Sequence, residues 1–276
     1  MSGSVSGSAS PPEADADVLE RGGLDLAVDG ARATITLRRP ETLNAQTPST
    51  WEALRQIGEW LAPDVRVVVV RGSGRAFSAG LDRRMFSAEG IPGEAGFVEI
   101  STSPPGAGDA IVDRFQQGFT WLQAPGRVTV AAVQGHAIGA GFQLALACDL
   151  RIAATDAQFT MAEPTLGLVP DLTGTLTLVR AVGYAKAVEI CLTGRRIPAA
   201  EALRVGLVNS VVEPDQLDSA VDELVADLLK PPAGATRETL ALLVSAADNP
   251  TLDEQRAAER AAQLRRLAEL RQLLAP

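Results

Sequence analysis

Residues 127–163, RVTVAAVQGHAIGAGFQLALACDLRIAATDAQFTMAE, constrain the fold more than any other part of the chain. A β-branched apolar run, Val128–Val133, ends at a glycine turn, and residues 142–148 then have the apolar spacing of a buried helix. Gly139 and Gly141 allow a ligand oxygen to approach the backbone, where the first N–H groups of a helix have no intrahelical acceptor. The pattern predicts a strand, a glycine turn and a helix whose N-terminus binds an anion, or an oxygen that becomes negative during a reaction.

A second glycine turn occurs earlier in the chain. Residues 65–70, VRVVVV, have the composition of a buried strand, and the string RGSGRAFSAGLDRRMF follows them. Within that string, residues 77–82 lead from a turn toward a helix. Two turns that each offer a free backbone N–H could hold one carbonyl oxygen from both sides.

Three blocks of sequence resemble the crotonase (enoyl-CoA hydratase/isomerase) superfamily. They are GRAFSAGLD, AAVQGHAIGAGFQLALACDLRIA and FTMAEPTLGLVPDLTGT, and they occur in the family's order and spacing. The likeness extends from about residue 24 to about residue 212. It implies an α/β fold, a spiral of ββα repeats followed by a C-terminal helical region that builds trimers. It also implies an acyl-CoA thioester as substrate and a homotrimer or dimer of trimers as the assembly.

The resemblance assigns the oxygen-binding donors to the backbone N–H groups of Leu81 and Ala140. It places Arg84 where the family has a lysine near the CoA phosphates. The other positions that it implies as substrate-binding are Ala79, Gly80, Asp82, Gly139, Gly141 and Gln143. Because coenzyme A is part of the substrate, no separate cofactor is expected. His136 is the sole histidine and has no cysteine near it in sequence, so we expect no metal site.

Glu163 is the candidate general base. Phe159, Met161 and Glu163 alternate along a predicted strand, which places the carboxylate on a face with two apolar residues. Such surroundings raise a carboxyl pKa toward neutrality, which suits proton transfer. By resemblance, Glu163 aligns with the glutamate that moves a proton at the α-carbon. The alternative is a strand-end glutamate that points to solvent.

Two departures from the family pattern bear on the reaction. Hydratases carry a second glutamate one turn into the helix after the glycine turn, whereas this chain has Gln143, whose amide cannot accept a proton from water. Asp171 stands where typical hydratases have glycine, and its pairing with Glu163 resembles the acid/base pair of dienoyl-CoA isomerases. The dehalogenase branch has an aspartate nucleophile here but lacks the glutamate. Asp171 could also be the N-cap of a helix expected to begin near Leu172.

Three functional hypotheses follow. The leading one is an isomerase that shifts a double bond in an enoyl- or dienoyl-CoA through a thioester enolate. The second is a 2-enoyl-CoA hydratase that uses Glu163 and a water held by Gln143. The third is a non-catalytic acyl-CoA binding protein, against which the presence of Glu163 argues.

Composition limits the partners and the compartment. A net charge of −9 and a pI near 4.8 argue against nucleic acid as a partner. No apolar run reaches the roughly 18 residues of a membrane span, and the N-terminus lacks the features of a secretory signal. Cys148 and Cys191 lie in apolar helical contexts, which favours free thiols in a reduced compartment. We therefore expect a cytoplasmic protein.

The chain divides by composition into three parts. Residues 1–20 are predicted to be a disordered tail, residues 21–212 the core with the acyl-CoA site, and residues 213–276 a helical trimerisation region. Residues 87–109 are rich in Gly, Pro and Ser and lack periodicity, which predicts a long loop beside the first glycine turn. Strands are predicted over 24–28, 33–37, 65–70, 128–133 and 208–212, and helices over 48–61, 110–122, 176–182 and 184–192.

Overall fold

The computed structural model describes residues 13–87, 89–248 and 250–273. The first half contains α1 (Glu13–Gly22), β1 (Leu24–Asp29), β2 (Arg32–Leu37), α2 (Pro48–Trp60), β3 (Val67–Gly72), α3 (Phe97–Thr102), α4 (Ala107–Thr120), β4 (Val128–Val133), β5 (His136–Ile138) and α5 (Ala140–Ala147). The second half contains β6 (Leu150–Ala154), β7 (Gln158–Thr160), α6 (Gly174–Val182), α7 (Tyr184–Thr193), β8 (Ile197–Pro198), α8 (Ala199–Arg204), β9 (Ser210–Val212), α9 (Leu217–Leu229), α10 (Ala233–Ala247) and α11 (Leu252–Leu273).

A six-stranded sheet in the order β1-β2-β3-β4-β6-β9 forms the frame of the molecule. Only β1 and β2 pair antiparallel, while the remaining neighbours are parallel. The central strands β3 and β4 are apolar on both faces because protein covers both faces. Val68 and Val70 of β3 face the main core beneath α2, α4 and α5, whereas Val67 and Val69 face a second core formed with α9.

A smaller sheet, β5-β7-β8, brings the two glycine turns together. After β4, the chain turns at Gly135 (φ +57°) and enters β5, which pairs in parallel with β7. Ser78 of the first turn forms a parallel bridge with Ala137 of β5. The Ser78 N–H donates to His136 O at 2.8 Å, and the Ile138 N–H donates to Ser78 O at 3.0 Å. The two glycine turns are therefore adjacent, as predicted.

The predicted disordered tail is wrong for residues 13–20, because they belong to α1. Leu19 is buried in the main core and Val18 packs against it, which stabilises this helix despite its polar flank. Residues 1–12 lie outside the described residues. The predicted long loop at 87–109 is also partly wrong, since α3 lies within it and α4 begins at Ala107. Ile100 of α3 packs against the core, a contact that local periodicity does not reveal.

The helical prediction for residues 213–276 is confirmed over the residues described there. α9 buries Leu217, Val221 and Val225 against the six-stranded sheet, so it packs with the core of its own chain. α10 and α11 pack on one another and expose several large apolar side chains, Leu243, Val244, Leu252, Leu264, Leu267 and Leu270. The trimeric assembly stays a prediction.

Two further expectations concern membranes and thiols. No helix in the described parts of the chain is both long and apolar enough to cross a membrane. Cys148 and Cys191 are both free, as predicted. Burial raises the pKa of the Cys148 thiol to about 12, so this group stays protonated and acts as a core residue.

Candidate active site

The two predicted donors, the N–H groups of Leu81 and Ala140, have no acceptor among the residues that the structure describes. Leu81 forms a parallel bridge with Gln46, in which Gln46 N donates to Gly80 O and Gln46 O accepts from Asp82 N, both at 2.8 Å. The two hydrogen bonds of this pairing are made by Gly80 O and Asp82 N, which flank Leu81. The N–H of Leu81 itself therefore points away from Gln46. Ala140 is the first residue of α5, so its N–H has no intrahelical acceptor.

Close contact between the two turns places the two donors near each other. Gly80 has φ +85°, and a Cβ there would collide with Ile138 O and lie 3.4 Å from Ala140 N. A Cβ at Gly141 would lie 2.5 Å from Ser78 O. Glycine is therefore required at both positions for the turns to approach, and the approach brings the Leu81 segment beside the N-terminus of α5.

Glu163 lies against this N-terminus. The residue is only 9% exposed, which rules out the solvent-facing alternative. It starts a short 3₁₀-helix, Glu163–Leu166, just beyond β7 rather than within a strand. A Cβ at Gly139 would lie 3.2 Å from Glu163 Oε1, so the carboxyl group is adjacent to the residue that precedes Ala140.

The two carboxyl oxygens of Glu163 have different surroundings. Oε1 accepts a hydrogen bond from Gln143 Nε2 at 2.7 Å, whereas Oε2 is buried without a partner in the described structure. Burial is the main cause that raises the pKa of Glu163, and the negative charge of Asp171 raises it further. The Gln143 hydrogen bond opposes this shift. The result is a carboxyl group poised to exchange a proton through Oε2.

Gln143 is fully buried one turn into α5, and its amide has a fixed orientation. Its Oε1 accepts from Leu172 N at 2.8 Å and from Gly174 N at 3.4 Å, while Nε2 donates to Glu163. Because the amide oxygen faces two N–H donors, the NH₂ group must face the carboxylate. A Cβ at Gly174 would lie 2.8 Å from Gln143 Cγ, so glycine permits this close packing.

The N-cap hypothesis for Asp171 is wrong. α6 begins at Gly174, and its N-cap is Thr173, which has a left-handed backbone (φ 67°). Gly174 N, one of the two backbone N–H groups that an Asp171 cap would serve, is bound by Gln143 Oε1 at 3.4 Å instead. Desolvation of its carboxyl group raises the pKa of Asp171, although the residue as a whole is exposed in the single chain. Asp171 and Glu163 thus interact as two carboxyl groups with raised pKa values.

A depression lined by three arginines and three carboxylates, here called the arginine-lined depression, lies beside the first turn. It has a volume of about 380 Å³ and is lined by Arg21, Arg39, Glu41, Thr42, Thr47, Ser49, Asp82, Arg84 and residues 91–94. Asp82 accepts from Arg84 N at 2.9 Å and forms an ion pair with its guanidinium at 2.8 Å. Arg84 hydrogen bonds lower the pKa of Asp82. Asp82 therefore holds Arg84 at the rim, where the arginine side chain is 66% exposed.

The substrate-binding roles of Ala79, Gly80, Asp82, Gly139 and Gly141 stay predictions. Sequence reasoning missed Gln46, whose bonds to the Leu81 segment span more than 30 residues and leave no local signal. It also missed Arg21, because the sequence pattern predicts no helix over Glu13–Gly22 that would place this side chain beside the first turn.

A family model described as enoyl-CoA hydratase/isomerase matches residues 29–270. A Mycobacterium bovis protein described as a probable enoyl-CoA hydratase is 38% identical over 187 residues. That alignment covers 66% of this chain and 66% of the relative, just under two thirds of its length.

Solved structures extend the similarity over nearly the whole chain. A Thermobifida fusca YX protein assigned to the enoyl-CoA hydratases, in complex with CoA, is 49% identical with a TM-score of 0.88. The match covers 93% of this chain and 97% of that one. The same assignment is given for a T. fusca YX structure in complex with acetoacetyl-CoA, which is 49% identical with a TM-score of 0.87 and covers 92% and 98% of the two chains.

Proposed function

The chain belongs to the enoyl-CoA hydratase/isomerase family, and we propose that it shifts a carbon–carbon double bond in an enoyl- or dienoyl-CoA thioester. The thioester oxygen would lie between the N–H groups of Leu81 and Ala140. Removal of a proton from the α-carbon then places negative charge on that oxygen, where two preorganised donors stabilise it.

Glu163 is the proposed base. Its unpartnered Oε2 takes the α-proton as the C–H bond breaks, and the electron pair passes through the conjugated system to the thioester oxygen. In a 3-enoyl ester, the same carboxyl returns the proton to the γ-carbon. In a 3,5-dienoyl ester, protonated Asp171 gives its proton to the far end of the conjugated chain. The raised pKa of Asp171 supports this role, since the proton must be present before it is donated.

The observation that carries the proposal is the amide of Gln143 between these groups. The two-carboxylate arrangement for hydration needs a second group that accepts or donates a proton of water, and an amide does neither at neutral pH. Gln143 instead donates to Glu163 and binds the segment that follows Asp171. The cleft therefore has one base beside the α-carbon and a second carboxyl group farther along.

The arginine-lined depression supports a CoA ester as the ligand. Three arginines, Arg21, Arg39 and Arg84, line it together with three carboxylates, and Arg84, although paired with Asp82, keeps a side chain that is 66% exposed. Arginine binds phosphate oxygens through charge-assisted hydrogen bonds. The 49% identical T. fusca protein was solved with CoA, which supports the same class of ligand here.

Hydration of a 2-enoyl-CoA is the second candidate. The relatives named above are described as enoyl-CoA hydratases, and one Nε2 hydrogen of Gln143 has no acceptor in the described structure. That hydrogen could orient a water molecule while Glu163 acts alone.

Incubation with 2-enoyl-, 3-enoyl- and 3,5-dienoyl-CoA esters tests both functions. Isomerisation leaves the mass unchanged and alters the ultraviolet absorbance of conjugation, whereas hydration adds one water to the mass. We expect a spectral change without a mass change for the 3-enoyl or 3,5-dienoyl ester. Efficient hydration of the 2-enoyl ester without isomerisation of the others would refute the proposal, and unchanged esters would indicate a binding protein.

A further inference from the structure

The backbone of Gln46 determines the direction of the Leu81 N–H. Its N–H and C=O groups bind Gly80 O and Asp82 N on either side of Leu81, each at 2.8 Å. Rotation of the Leu81 peptide would break one of these bonds. The position of Gln46 is therefore coupled to the direction of one oxygen-binding donor.

The side chain of Gln46 is fully buried, and both ends of its amide are bonded. Its Oε1 accepts from Trp51 Nε1 at 2.8 Å, and its Nε2 donates to Ser78 Oγ at 3.0 Å. Trp51 belongs to α2, which packs on α4 through an edge-to-face contact with Phe115. A buried amide with both ends bonded cannot shift without leaving a polar group unpaired, so α2 anchors Gln46.

Ser78 extends the coupling to the second turn. Its Oγ accepts from Gln46 and from Gly80 N at 3.2 Å, and it donates to Asn44 O at 2.8 Å. Its backbone forms the bridge to Ala137, two residues before Gly139. The chain of contacts therefore runs from Trp51 through Gln46 and Ser78 to both glycine turns.

We propose that Gln46 is a positioning residue that sets the direction and the spacing of the two oxygen-binding N–H groups through Ser78 and the Gly80–Asp82 backbone. The inference rests on the proposed function, since it assumes that Leu81 and Ala140 bind the thioester oxygen. Gln46 itself touches no reacting atom. Its effect should appear as weaker polarisation of the thioester carbonyl when its side-chain bonds are removed.

The substitution Gln46→Met tests this inference, because methionine keeps the length and flexibility of the side chain but forms neither bond. Gln123→Met is the matched control. Gln123 Nε2 also makes two hydrogen bonds, to Leu146 O at 3.2 Å and Thr177 Oγ1 at 2.9 Å, away from the two donors. Both variants are compared with the wild type for kcat, KM and melting temperature.

The decisive readout is the infrared carbonyl band of bound butyryl-CoA labelled with ¹³C at the carbonyl. This ester has no double bond to shift, so it reports the ground state without turnover. In Gln46→Met we expect the band at higher wavenumber than in wild type, kcat lower by about tenfold and KM within a few-fold. This loss is smaller than that for removal of a donor because the N–H groups remain. Gln123→Met should keep the wild-type band and kcat.

An unchanged band in Gln46→Met overturns the inference, whether or not kcat falls, because a purely structural role would lower activity without changing carbonyl polarisation. If Gln46→Met does not fold, Trp51→Phe tests the inference in its place. It removes only the donor to Gln46 Oε1 and retains an aromatic ring against Phe115, and it should shift the band in the same direction by less. A wild type that converts no enoyl-CoA ester, or whose band equals that of free butyryl-CoA, refutes the proposed function instead.

Discussion

Replacement of Glu163 by glutamine should lower activity and raise stability at the same time. The change removes ionisation but preserves the shape of the side chain and an oxygen that can accept from Gln143 Nε2. Loss of the general base should lower kcat by about a hundredfold or more. Affinity for a CoA ester should remain within a few-fold, because the backbone donors and the arginine-lined depression are untouched.

The stability gain follows from the raised pKa of Glu163. Burial raises the folded-state pKa, so the folded protein holds this proton more tightly than the unfolded chain does. Stability is then lost as pH rises above the unfolded glutamate pKa of about 4.3, until pH exceeds the folded value. Each pKa unit of elevation corresponds to about 1.4 kcal/mol, and 1 kcal/mol to about 2–4 °C in melting temperature for a chain near this size. Because glutamine does not ionise, Glu163→Gln does not lose stability in this way as pH rises.

Calorimetry of both proteins at mildly acidic and neutral pH measures this difference, and a spectrophotometric assay with a 3-enoyl- or 3,5-dienoyl-CoA ester measures kcat. We expect the melting temperature of Glu163→Gln to exceed that of wild type at neutral pH, and the difference to shrink toward pH 4. Near-normal turnover would show that another group moves the proton. A variant less stable than wild type at neutral pH would refute the argument that the ionised, buried carboxylate destabilises the folded protein.

Three other substitutions test separate parts of the site. Gln143→Glu should allow hydration of a 2-enoyl-CoA, detected by mass, and should lower the melting temperature at neutral pH because two carboxylates then face each other; no hydration together with unchanged stability would contradict both expectations. Asp171→Asn and Asp171→Ala should both cut dienoyl-CoA isomerisation by about a hundredfold or more, and neither should lower stability by more than about 0.5 kcal/mol since Thr173 is the cap; full activity in the Asn variant would remove Asp171 from the mechanism. Arg84→Ala should raise KM for CoA esters several-fold with little effect on kcat, and an unchanged KM would exclude a phosphate contact.

The elements that the sequence predicts well are those with a strong local pattern. The prediction of β4 as residues 128–133 agrees with the structure at both ends, and α2 differs from its predicted range by one residue. Both segments have a clear apolar pattern bounded by turn or cap signals. The glycines at 80, 139 and 141 also predict the two turns, because close backbone approach requires glycine at 80 and 141 and a positive φ of +52° favours it at 139. The family resemblance is also confirmed, because it depends on short motifs that can be recognised within local segments of the sequence.

The errors arise where a distant contact determines the local structure. The polar composition around α1 predicts disorder, yet Leu19 supplies a core contact that composition does not show. Asp171 stands before an apolar helical pattern, as an N-cap would. Thr173, however, adopts a left-handed backbone, and the nearby N–H groups bond to Gln143, which is about 30 residues earlier. No property of residues 171–178 alone indicates that partner.

Gln143 is therefore more than an uncharged replacement for the second glutamate of hydratases. A glutamate at this position supplies a second proton-transfer group, whereas the amide supplies a donor to Glu163 and an acceptor for Leu172 N and Gly174 N. The acceptor function binds the segment that follows Asp171, and the donor function leaves Glu163 Oε2 without a partner in the described structure. A carboxylate could keep the first function but would replace the second with like-charge repulsion. In the proposed isomerase, the glutamine would thus favour one base beside the α-carbon and a second carboxyl group farther along, the arrangement that moving a proton along an acyl chain requires.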